Sequence, residues 1–515
     1  LEHIEQNLEE KEKKVENKIS EFLKDPYNLA LVGILLFAFI VRFYYFFITK
    51  SQPLWWDEAV YGTLAKNYVT HMWNGMDVIV GESVIRPFLF PFLWSILLRL
   101  SANEIVVRFF LEFLPSIISV FFVYLIGKEL YDKKIGLISA FIFSSLWLHL
   151  FYTARLLTDS FQLALLFPSF YFFIKFLKSE NNFKLFAISL FLLSFATLTR
   201  FQNGIFFFVY LILLIPDKKL LLNKAKFWIY GIVGLIPMWI FFITNQIRYG
   251  NIFPAFLGGT YLAPSEKLAN PIGWGVLKNL KMFNPASSDI FFLIFFFFFI
   301  LGMLFVLFEI LIGYNFMAKS RKIKNHLFLL LSLFLFYSFF VFFIRSAEDR
   351  WLLPTSLALV ILAAIGIICL FNFVKKYNNY FAIFLVFAIL ILGAYSQVKF
   401  ADSIIENKQT SYLQIRQGFE WIKANTPENS VITGVGIQPY APYYAERRFL
   451  NFPDNESEVG ILANADYLVI HGFTPQSDYL VAYLQQNSAK WIPVNVFFFD
   501  AEQQQPALVI YQKQF

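Results

Sequence analysis

The fifteen residues RPFLFPFLWSILLRL (86–100) decide how the rest of this chain is arranged. The run is apolar but short, because a helix needs about 20 residues to cross a bilayer, or about 17 at the least. It contains two prolines, and it has an arginine near each end. These features predict a helix that lies in the membrane interface and does not cross the membrane.

The charges between the other apolar runs test this prediction. If 86–100 does not cross and the N-terminus is cytoplasmic, five short connections with sixteen Lys and Arg residues face the cytoplasm, as the positive-inside rule requires. A crossing at 86–100 would move all sixteen outside. We therefore expect eleven spans, formed by the runs 29–49, 105–127, 134–152, 158–178, 183–199, 203–216, 227–246, 289–313, 326–345, 351–372 and 380–396.

Composition agrees with a polytopic membrane protein. The 515 residues are 58% hydrophobic and 15% charged, with a mean hydropathy of +0.57, whereas soluble domains are about 45–50% apolar and about 25% charged. The net charge of +7 reflects topology and does not indicate a nucleic-acid partner. The single cysteine, Cys369, excludes an intrachain disulfide and a cysteine-based metal or redox site. The first apolar run is too long for a cleavable signal, so we expect none.

Three parts are expected along the chain. Residues 1–28 form a charged cytoplasmic helix, either solvated or bound to a partner. Residues 29–400 form the membrane domain, in which 50–104 is the first external loop with interfacial helices. Residues 401–515 alternate strand patterns (VITGVG, DYLVIHG, WIPVNVFFF, ALVIYQ) with helical ones, which predicts a small α/β domain. Topology places this domain outside the cytoplasm, in a protein of the cell membrane.

An acidic pair follows the first span, in SQPLWWDEAVYGTLAKNY (51–68). Asp57 and Glu58 begin a predicted helix, and Tyr61 lies on the same face as Asp57. Capping of that helix is one explanation, because acids are favoured at helix starts. Catalysis is the other, because charge beside a bilayer is costly unless it is used. With eleven spans, Asp159 lies on the same side of the membrane, so the carboxylates could share one site.

Cations accompany these acids on the external side. A guanidinium matches phosphate oxygens with paired donors, so Arg86, which precedes Pro87, is a candidate for binding a phosphate. The alternative is an interfacial anchor. Arg155 stands four residues before Asp159, where a structural ion pair is the alternative to substrate binding. Further cations or acids at the mouths of spans are Arg200, Glu348 and Arg350.

The chain resembles the multi-spanning C-type glycosyltransferases, in the branch of the protein O-mannosyltransferases and the lipid A aminoarabinose transferase. The similarity runs through most of 29–400. It is densest at WWDEAVYGTLAKNY, RPFLFPFLWSILLRLSANEIVVRF, FYTARLLTDSF and EDRWLLP. The resemblance implies a catalytic acid in the Asp57-Glu58 motif, a second acid at Asp159, and a donor phosphate at Arg86. It also implies loop helices that lie on the membrane.

The function implied is inverting transfer of a hexose or pentose from a polyprenyl-phosphate sugar, dolichyl or undecaprenyl, to an extracytoplasmic hydroxyl of a lipid or glycan. Asp57 is then the general base. Glu58 orients Asp57 or binds the acceptor, and Asp159 binds acceptor or sugar and tunes the field at Asp57. Arg86 holds the donor phosphate, with Arg200 as a lesser candidate. Further substrate contacts are expected from Tyr61, Arg155, Glu348 and Arg350.

Three departures qualify the resemblance. Ile85 stands where the aminoarabinose transferases have a glutamate proposed as a metal ligand, so we expect no metal and no other cofactor. Ala59 and Val60 stand where an arginine follows the acidic pair in those enzymes. No large insert follows the seventh span, so a protein acceptor is not implied, although protein O-glycosylation from the same donor remains the alternative.

Two other classes of protein are alternatives. A transporter or lipid flippase would have ionisable residues deep within its spans, whereas most here lie at span ends. It would also often show an internal repeat, and none is visible. A receptor-like scaffold that displays the C-terminal domain is the remaining alternative.

Overall fold

A computed structural model describes the chain at residues 22, 24–70, 86–100, 103–179, 182–215, 225–253, 293–317, 321–343, 348–453 and 455–514. The predicted N-terminal charged helix therefore lies almost wholly outside the described residues. The chain divides into two compact units. The first comprises Leu1–Phe46, Phe113–Ala154 and Asp159–Ser403, and the second comprises Phe47–Glu112, Arg155–Thr158 and Ile404–Phe515.

Helices make up most of the described chain. In chain order they are α1 (Pro26–Thr49), α2 (Trp56–Thr70), α3 (Leu89–Arg99), α4 (Glu104–Leu130, with a π-helical turn at Phe109–Phe113), α5 (Lys133–Ser145), α6 (Trp147–Thr153), α7 (Thr158–Lys178), α8 (Phe183–Thr199), α9 (Ile205–Leu214), α10 (Ala225–Gly234), α11 (Ile236–Tyr249), α12 (Leu293–Met317), α13 (Arg321–Phe343), α14 (Ser356–Lys375), α15 (Asn379–Lys408), α16 (Leu413–Asn425) and α17 (Asp478–Gln486).

Among the described residues, six helices are long and apolar enough to cross a membrane, or up to eight if each bent pair is counted as one span. The predicted integral membrane protein with many apolar helices is thus confirmed, whereas the count of eleven spans stays a prediction. Helix α3 covers most of the run 86–100 and has only 11 residues. That length is short of a span, in agreement with an interfacial helix.

The break between α5 and α6 shows how the first unit tolerates irregular backbone. The two helices bend by 56°. Backbone groups freed by such a break must find partners, because lipid offers none. The fully buried Arg42 of α1 donates to the carbonyl oxygen of Ser144 at 2.9 Å and to His149 Nδ1 at 2.9 Å. On the other side of the break, Trp147 N donates to Gln397 Oε1 at 3.1 Å.

The second unit contains one five-stranded sheet of order β2-β1-β3-β5-β4. Its strands are β1 (Val431–Gly434), β2 (Arg448–Asn451), β3 (Tyr467–His471), β4 (Trp491–Phe498) and β5 (Pro506–Lys513). β2, β1 and β3 run parallel, with Ile432 paired to Tyr467. β5 is antiparallel to β3 and β4. The core of this sheet includes Phe452, Leu462, Leu468, Leu480 and Trp491.

The α/β pattern of the tail is therefore confirmed, with two differences. The four predicted strands form, but the sheet has a fifth strand, β2, at its edge. β2 has only four residues, and none of them is buried. A strand this short has too few positions to show the alternation of apolar and polar residues by which strands are predicted. Of the helical patterns in this region, SEVGILANA (457–465) forms a 3₁₀ helix, Glu456–Asn464.

We predict that Arg42→Met destabilises the protein. Methionine has a similar reach but no donors, so the Ser144 carbonyl would lose its side-chain partner, at a cost of about 1–3 kcal/mol for a buried polar group. Thermal unfolding of the purified protein in detergent, followed by tryptophan fluorescence, would show a lower midpoint. Lys399→Met, at an exposed position of α15, is the control and should leave the midpoint unchanged. Equal midpoints for both variants would contradict this role of Arg42.

Candidate active site

The start of α2 brings together three of the predicted site residues. Arg86 Nη2 donates to Asp57 Oδ1 at 2.8 Å, and the two side chains are 15% and 25% exposed, respectively. Tyr61 lies one turn after Asp57, and its ring centre is 5.2 Å from the Arg86 guanidinium carbon, within the range of a cation–π contact. Phe90 packs edge-on against Tyr61. An accessible carboxylate and an accessible guanidinium thus lie side by side.

Glu58, the next residue, has the opposite environment. It is fully buried, its Oε2 accepts from the backbone N–H of Trp55 at 2.5 Å, and its Oε1 accepts from that of Leu156 at 2.5 Å. As the third helical residue, Glu58 reaches back to the residue before the helix, like the acidic member of a capping box. Of the two roles predicted for Glu58, this burial favours the orientation of Asp57.

Arg155 completes the surroundings of Glu58. Its Nη1 donates to Glu58 Oε2 at 3.4 Å and to the carbonyl oxygen of Pro53 at 3.2 Å, and its guanidinium carbon lies 3.6 Å from the Trp55 ring centre. Burial lowers the pKa of Arg155 to about 10, against the opposing effect of Glu58, so it remains a cation at neutral pH. Arg155 precedes α7, which begins at Thr158. The ion pair considered with Asp159 on one helix is therefore replaced by a pair with Glu58.

A second buried ion group supports the segment that leads into α2. Arg108 is 1% exposed and donates to Glu104 at 2.9 Å, to Glu112 at 3.2 Å and to the carbonyl oxygen of Gln52 at 3.2 Å. Sequence reasoning missed Glu112. The spacing of four residues between each acid and Arg108 was the available signal, because such residues are neighbours on a helix.

The C-terminal part of the second unit also contacts α2 and the residues before it. The Tyr444 hydroxyl accepts from the backbone N–H of Leu54 at 2.8 Å, and the Tyr443 hydroxyl donates to Glu104 at 3.2 Å. A Cβ atom at Gly62 would lie 2.4 Å from the Tyr443 ring, so this approach requires glycine. Burial raises the pKa of both tyrosines, which keeps their hydroxyls neutral. Sequence reasoning missed both residues.

The first unit holds the other predicted residues. Arg200 Nη1 donates to Asp159 Oδ1 in a largely buried ion pair at the start of α7. The Arg200 guanidinium carbon lies 5.9 Å from the Trp351 ring centre. Arg350 is buried and forms an ion pair with the exposed Glu348 at 2.6 Å, and both interact electrostatically with Asp159. Asp57 and Asp159 belong to different units, so their convergence at one site stays a prediction.

Within the described part of the chain, no group of three or more His, Cys, Asp or Glu side chains is placed to hold a metal ion. The expectation of a metal-independent site stays a prediction.

Comparison with known proteins adds to this geometry. Residues 85–243 match the family model described as dolichyl-phosphate-mannose-protein mannosyltransferase. No curated protein sequence matches the chain. Among solved structures, the Archaeoglobus fulgidus oligosaccharyltransferase with a tethered acceptor peptide superposes with a TM-score of 0.61 at 12% identity, over 96% of this chain and 75% of that one. The chain has the fold of a C-type glycosyltransferase.

Two further structures have the C-type fold and a lipid carrier. ArnT from Cupriavidus metallidurans, bound to undecaprenyl phosphate, has a TM-score of 0.59 at 10% identity, over 94% of this chain and 97% of that one. The oligosaccharyltransferase AglB from Archaeoglobus fulgidus, in complex with an inhibitory peptide and a dolichol-phosphate, has a TM-score of 0.55 at 12% identity, over 96% and 75%. The predicted resemblance is thus confirmed, as a likeness of fold.

We predict that Glu58→Gln lowers stability. The amide would place an N–H donor against one of the two backbone N–H groups, and it would leave the buried Arg155 without a carboxylate. Each buried polar group left without a partner lowers the free energy of unfolding by about 1–3 kcal/mol. Tryptophan fluorescence would report a lower unfolding midpoint. Glu420→Gln is the control, because Glu420 also pairs with an arginine but is half exposed. If Glu58→Gln unfolds like the wild type, Glu58 does not hold the start of α2.

Proposed function

We propose that the protein is an inverting glycosyltransferase that moves a sugar from a polyprenyl-phosphate sugar to an extracytoplasmic hydroxyl. The observation that carries this proposal is the accessible pair of Asp57 and Arg86 beside the buried, fully engaged Glu58. The C-type fold supports it, because two proteins with that fold are described with dolichol-phosphate or undecaprenyl phosphate. The site and the C-terminal α/β domain are proposed to face outward from the cell membrane.

The chemistry assigns one step to each member of the pair. Asp57 accepts the proton of the acceptor hydroxyl while that oxygen forms a bond to the anomeric carbon. The bond from the anomeric carbon to the phosphate oxygen breaks, and its electron pair leaves with the polyprenyl phosphate. Because one displacement occurs without a covalent enzyme intermediate, the anomeric configuration inverts. Arg86 stabilises the negative charge that grows on the phosphate.

The ion pair between Asp57 and Arg86 suggests an order of events. Arg86 Nη2 is hydrogen-bonded to Asp57 Oδ1. A donor phosphate offers Arg86 oxygens of matching geometry. When Arg86 turns to the phosphate, its hydrogen bond to Asp57 Oδ1 breaks, and the acceptor hydroxyl can donate to that oxygen in its place. Donor binding would therefore precede productive acceptor binding.

Two acceptor classes are proposed. The primary one is the hydroxyl of a lipid or glycan. The second is the hydroxyl of a protein side chain, and its support is the description of the family model that matches 85–243, a protein mannosyltransferase. Incubation of the purified protein in nanodiscs with a panel of polyprenyl-phosphate sugars and with lipid, glycan or peptide acceptors would distinguish them by mass spectrometry of the product. Absence of transfer from every donor would overturn the proposed function.

We expect Asp57→Asn to abolish most transfer without unfolding the protein. The amide keeps the shape and loses the base, which typically contributes about a hundred- to ten-thousandfold to the rate. Transfer rate, unfolding midpoint and donor binding would be measured together. The matched control is Asp478→Asn, an exposed acid in the first turn of α17. Wild-type turnover in Asp57→Asn would reduce Asp57 to a helix-capping acid.

Substitutions of Arg86 separate phosphate binding from interfacial anchoring. Lys keeps the charge and loses the paired donors, so Arg86→Lys should retain partial activity. Arg86→Ala should lose more, by about 1.5–3 kcal/mol, the value of a hydrogen bond to a charged group. Single-turnover transfer at saturating donor would measure both. Arg99, at the other end of the same run, supplies matched control variants, because it is exposed and donates to the carbonyl of Tyr68. Equal rates for the Arg86 and Arg99 variants would make Arg86 an anchor.

A further inference from the structure

Two side-chain contacts join the first turns of α7 to the residues that follow α8. One is the ion pair of Asp159 with Arg200. The other is formed three residues further along each segment, where Asn203 Nδ2 donates to Gln162 Oε1 at 2.9 Å. Asp159 and Gln162 lie on one face of α7, because residues three apart are neighbours on a helix. All four residues belong to the first unit.

The orientation of both amides follows from a backbone contact. Asn203 Nδ2 also donates to the carbonyl oxygen of Ala196 at 2.9 Å. A carbonyl only accepts, so the nitrogen of Asn203 must face it. The same nitrogen meets Gln162, which must therefore present its oxygen. The free atoms of the pair are then Gln162 Nε2, a donor, and Asn203 Oδ1, an acceptor.

Three atoms of this group have no hydrogen-bond partner among the described residues. They are Asp159 Oδ2, Gln162 Nε2 and Asn203 Oδ1, and all three side chains are fully buried. A buried polar group that is left unpaired destabilises the fold. Native proteins leave few buried polar groups unpaired. Two acceptors and one donor in so small a region indicate a ligand that offers both donors and acceptors.

We infer that Gln162 and Asn203, together with Asp159, form a hydroxyl-binding subsite for a sugar ring. Each sugar hydroxyl donates one hydrogen bond and accepts others, so two neighbouring hydroxyls can satisfy two acceptors and a donor together. This inference rests on the proposed function and deepens it, because it assigns sugar selectivity to two uncharged residues. A site built to hydrogen-bond a hydroxyl also rejects analogues that lack it, since its own buried groups are then left unpaired.

Two substitutions of Gln162 test the subsite. Gln162→Met removes the donor with little change of volume. Gln162→Glu keeps an oxygen for Asn203 Nδ2 and replaces the free donor by an acceptor, so the contact between the two segments survives. Ser169→Ala is the matched control in α7, because the buried Ser169 hydroxyl is bonded to the Ser189 carbonyl at 2.8 Å and the Tyr210 hydroxyl at 2.7 Å.

The measurement compares lipids with and without a sugar. Binding of undecaprenyl phosphate and of its mannosyl, glucosyl and arabinosyl forms to the full chain in nanodiscs would be followed by tryptophan fluorescence. We expect the wild type and Ser169→Ala to bind at least one sugar lipid more tightly than undecaprenyl phosphate. In both Gln162 variants, the ratio of the affinity for the sugar lipid to the affinity for undecaprenyl phosphate should fall roughly tenfold or more. Their affinity for undecaprenyl phosphate itself should equal that of the wild type.

Deoxy analogues separate direct contact from a structural effect. Removal of the hydroxyl bound by Gln162 should weaken binding to the wild type and should leave Gln162→Met unaffected, because the two changes delete the same interaction. Methyl glycosides added together with undecaprenyl phosphate form a second arm. If the dependence on Gln162 appears there, the subsite binds the acceptor sugar; if it appears with the sugar lipids, it binds the donor sugar.

The outcomes distinguish this inference from the proposed function. A sugar preference that is equal in the wild type and both Gln162 variants, in both arms, would overturn the subsite and assign the three atoms to buried water. If no prenyl phosphate binds but the methyl glycosides show the dependence on Gln162, the proposed donor is wrong and the subsite stands.

Discussion

The carboxylate of Glu58 is the contact on which the proposed active site depends. It holds two backbone N–H groups from segments about a hundred positions apart, those of Trp55 and Leu156, and it neutralises the buried Arg155. A buried charge is tolerated only with partners that match it in geometry and sign. Arg108 is likewise paired with two glutamates, Glu104 and Glu112, and it donates to the backbone of the segment just before α2. Together they fix the backbone from which Asp57 projects.

Asp57 and Glu58 show how one dipeptide supplies two different functions. Successive residues on a helix point about 100° apart, since a turn has 3.6 residues. One of the two therefore faces the interior while the other stays accessible, as their burial shows. Helix capping and catalysis were the two explanations for this acidic pair. Glu58 caps the helix, and Asp57 is the residue to which we assign the proposed chemistry.

Sequence patterns predicted most of the elements and part of the candidate site. Each apolar run proposed as a span coincides with a helix or a bent helix pair in the described residues, because hydrophobicity over a long window is a local property. Asp57 and Arg86 were both assigned to the candidate site from the sequence, because each is a charged residue of the external loop beside the membrane, but their ion pair was seen only in the structure. Tyr443, Tyr444 and Asn203 were missed because their roles arise from contacts between distant positions. Their amide and hydroxyl side chains are also uncharged, so the charge pattern of the sequence does not indicate them.

The contact between Leu54 and Tyr444 bears on how the chain matures. The two residues are 390 positions apart. At a synthesis rate of about 5–20 residues per second, roughly 20–80 s pass between the appearance of the first and of the second. During that time the entry to α2 lacks the tyrosine that later accepts its backbone N–H, and Gly62 has no aromatic ring against it. Completion of the candidate site thus waits for the synthesis of Tyr443 and Tyr444, and a chain terminated before them would retain Asp57 and Arg86 without these contacts.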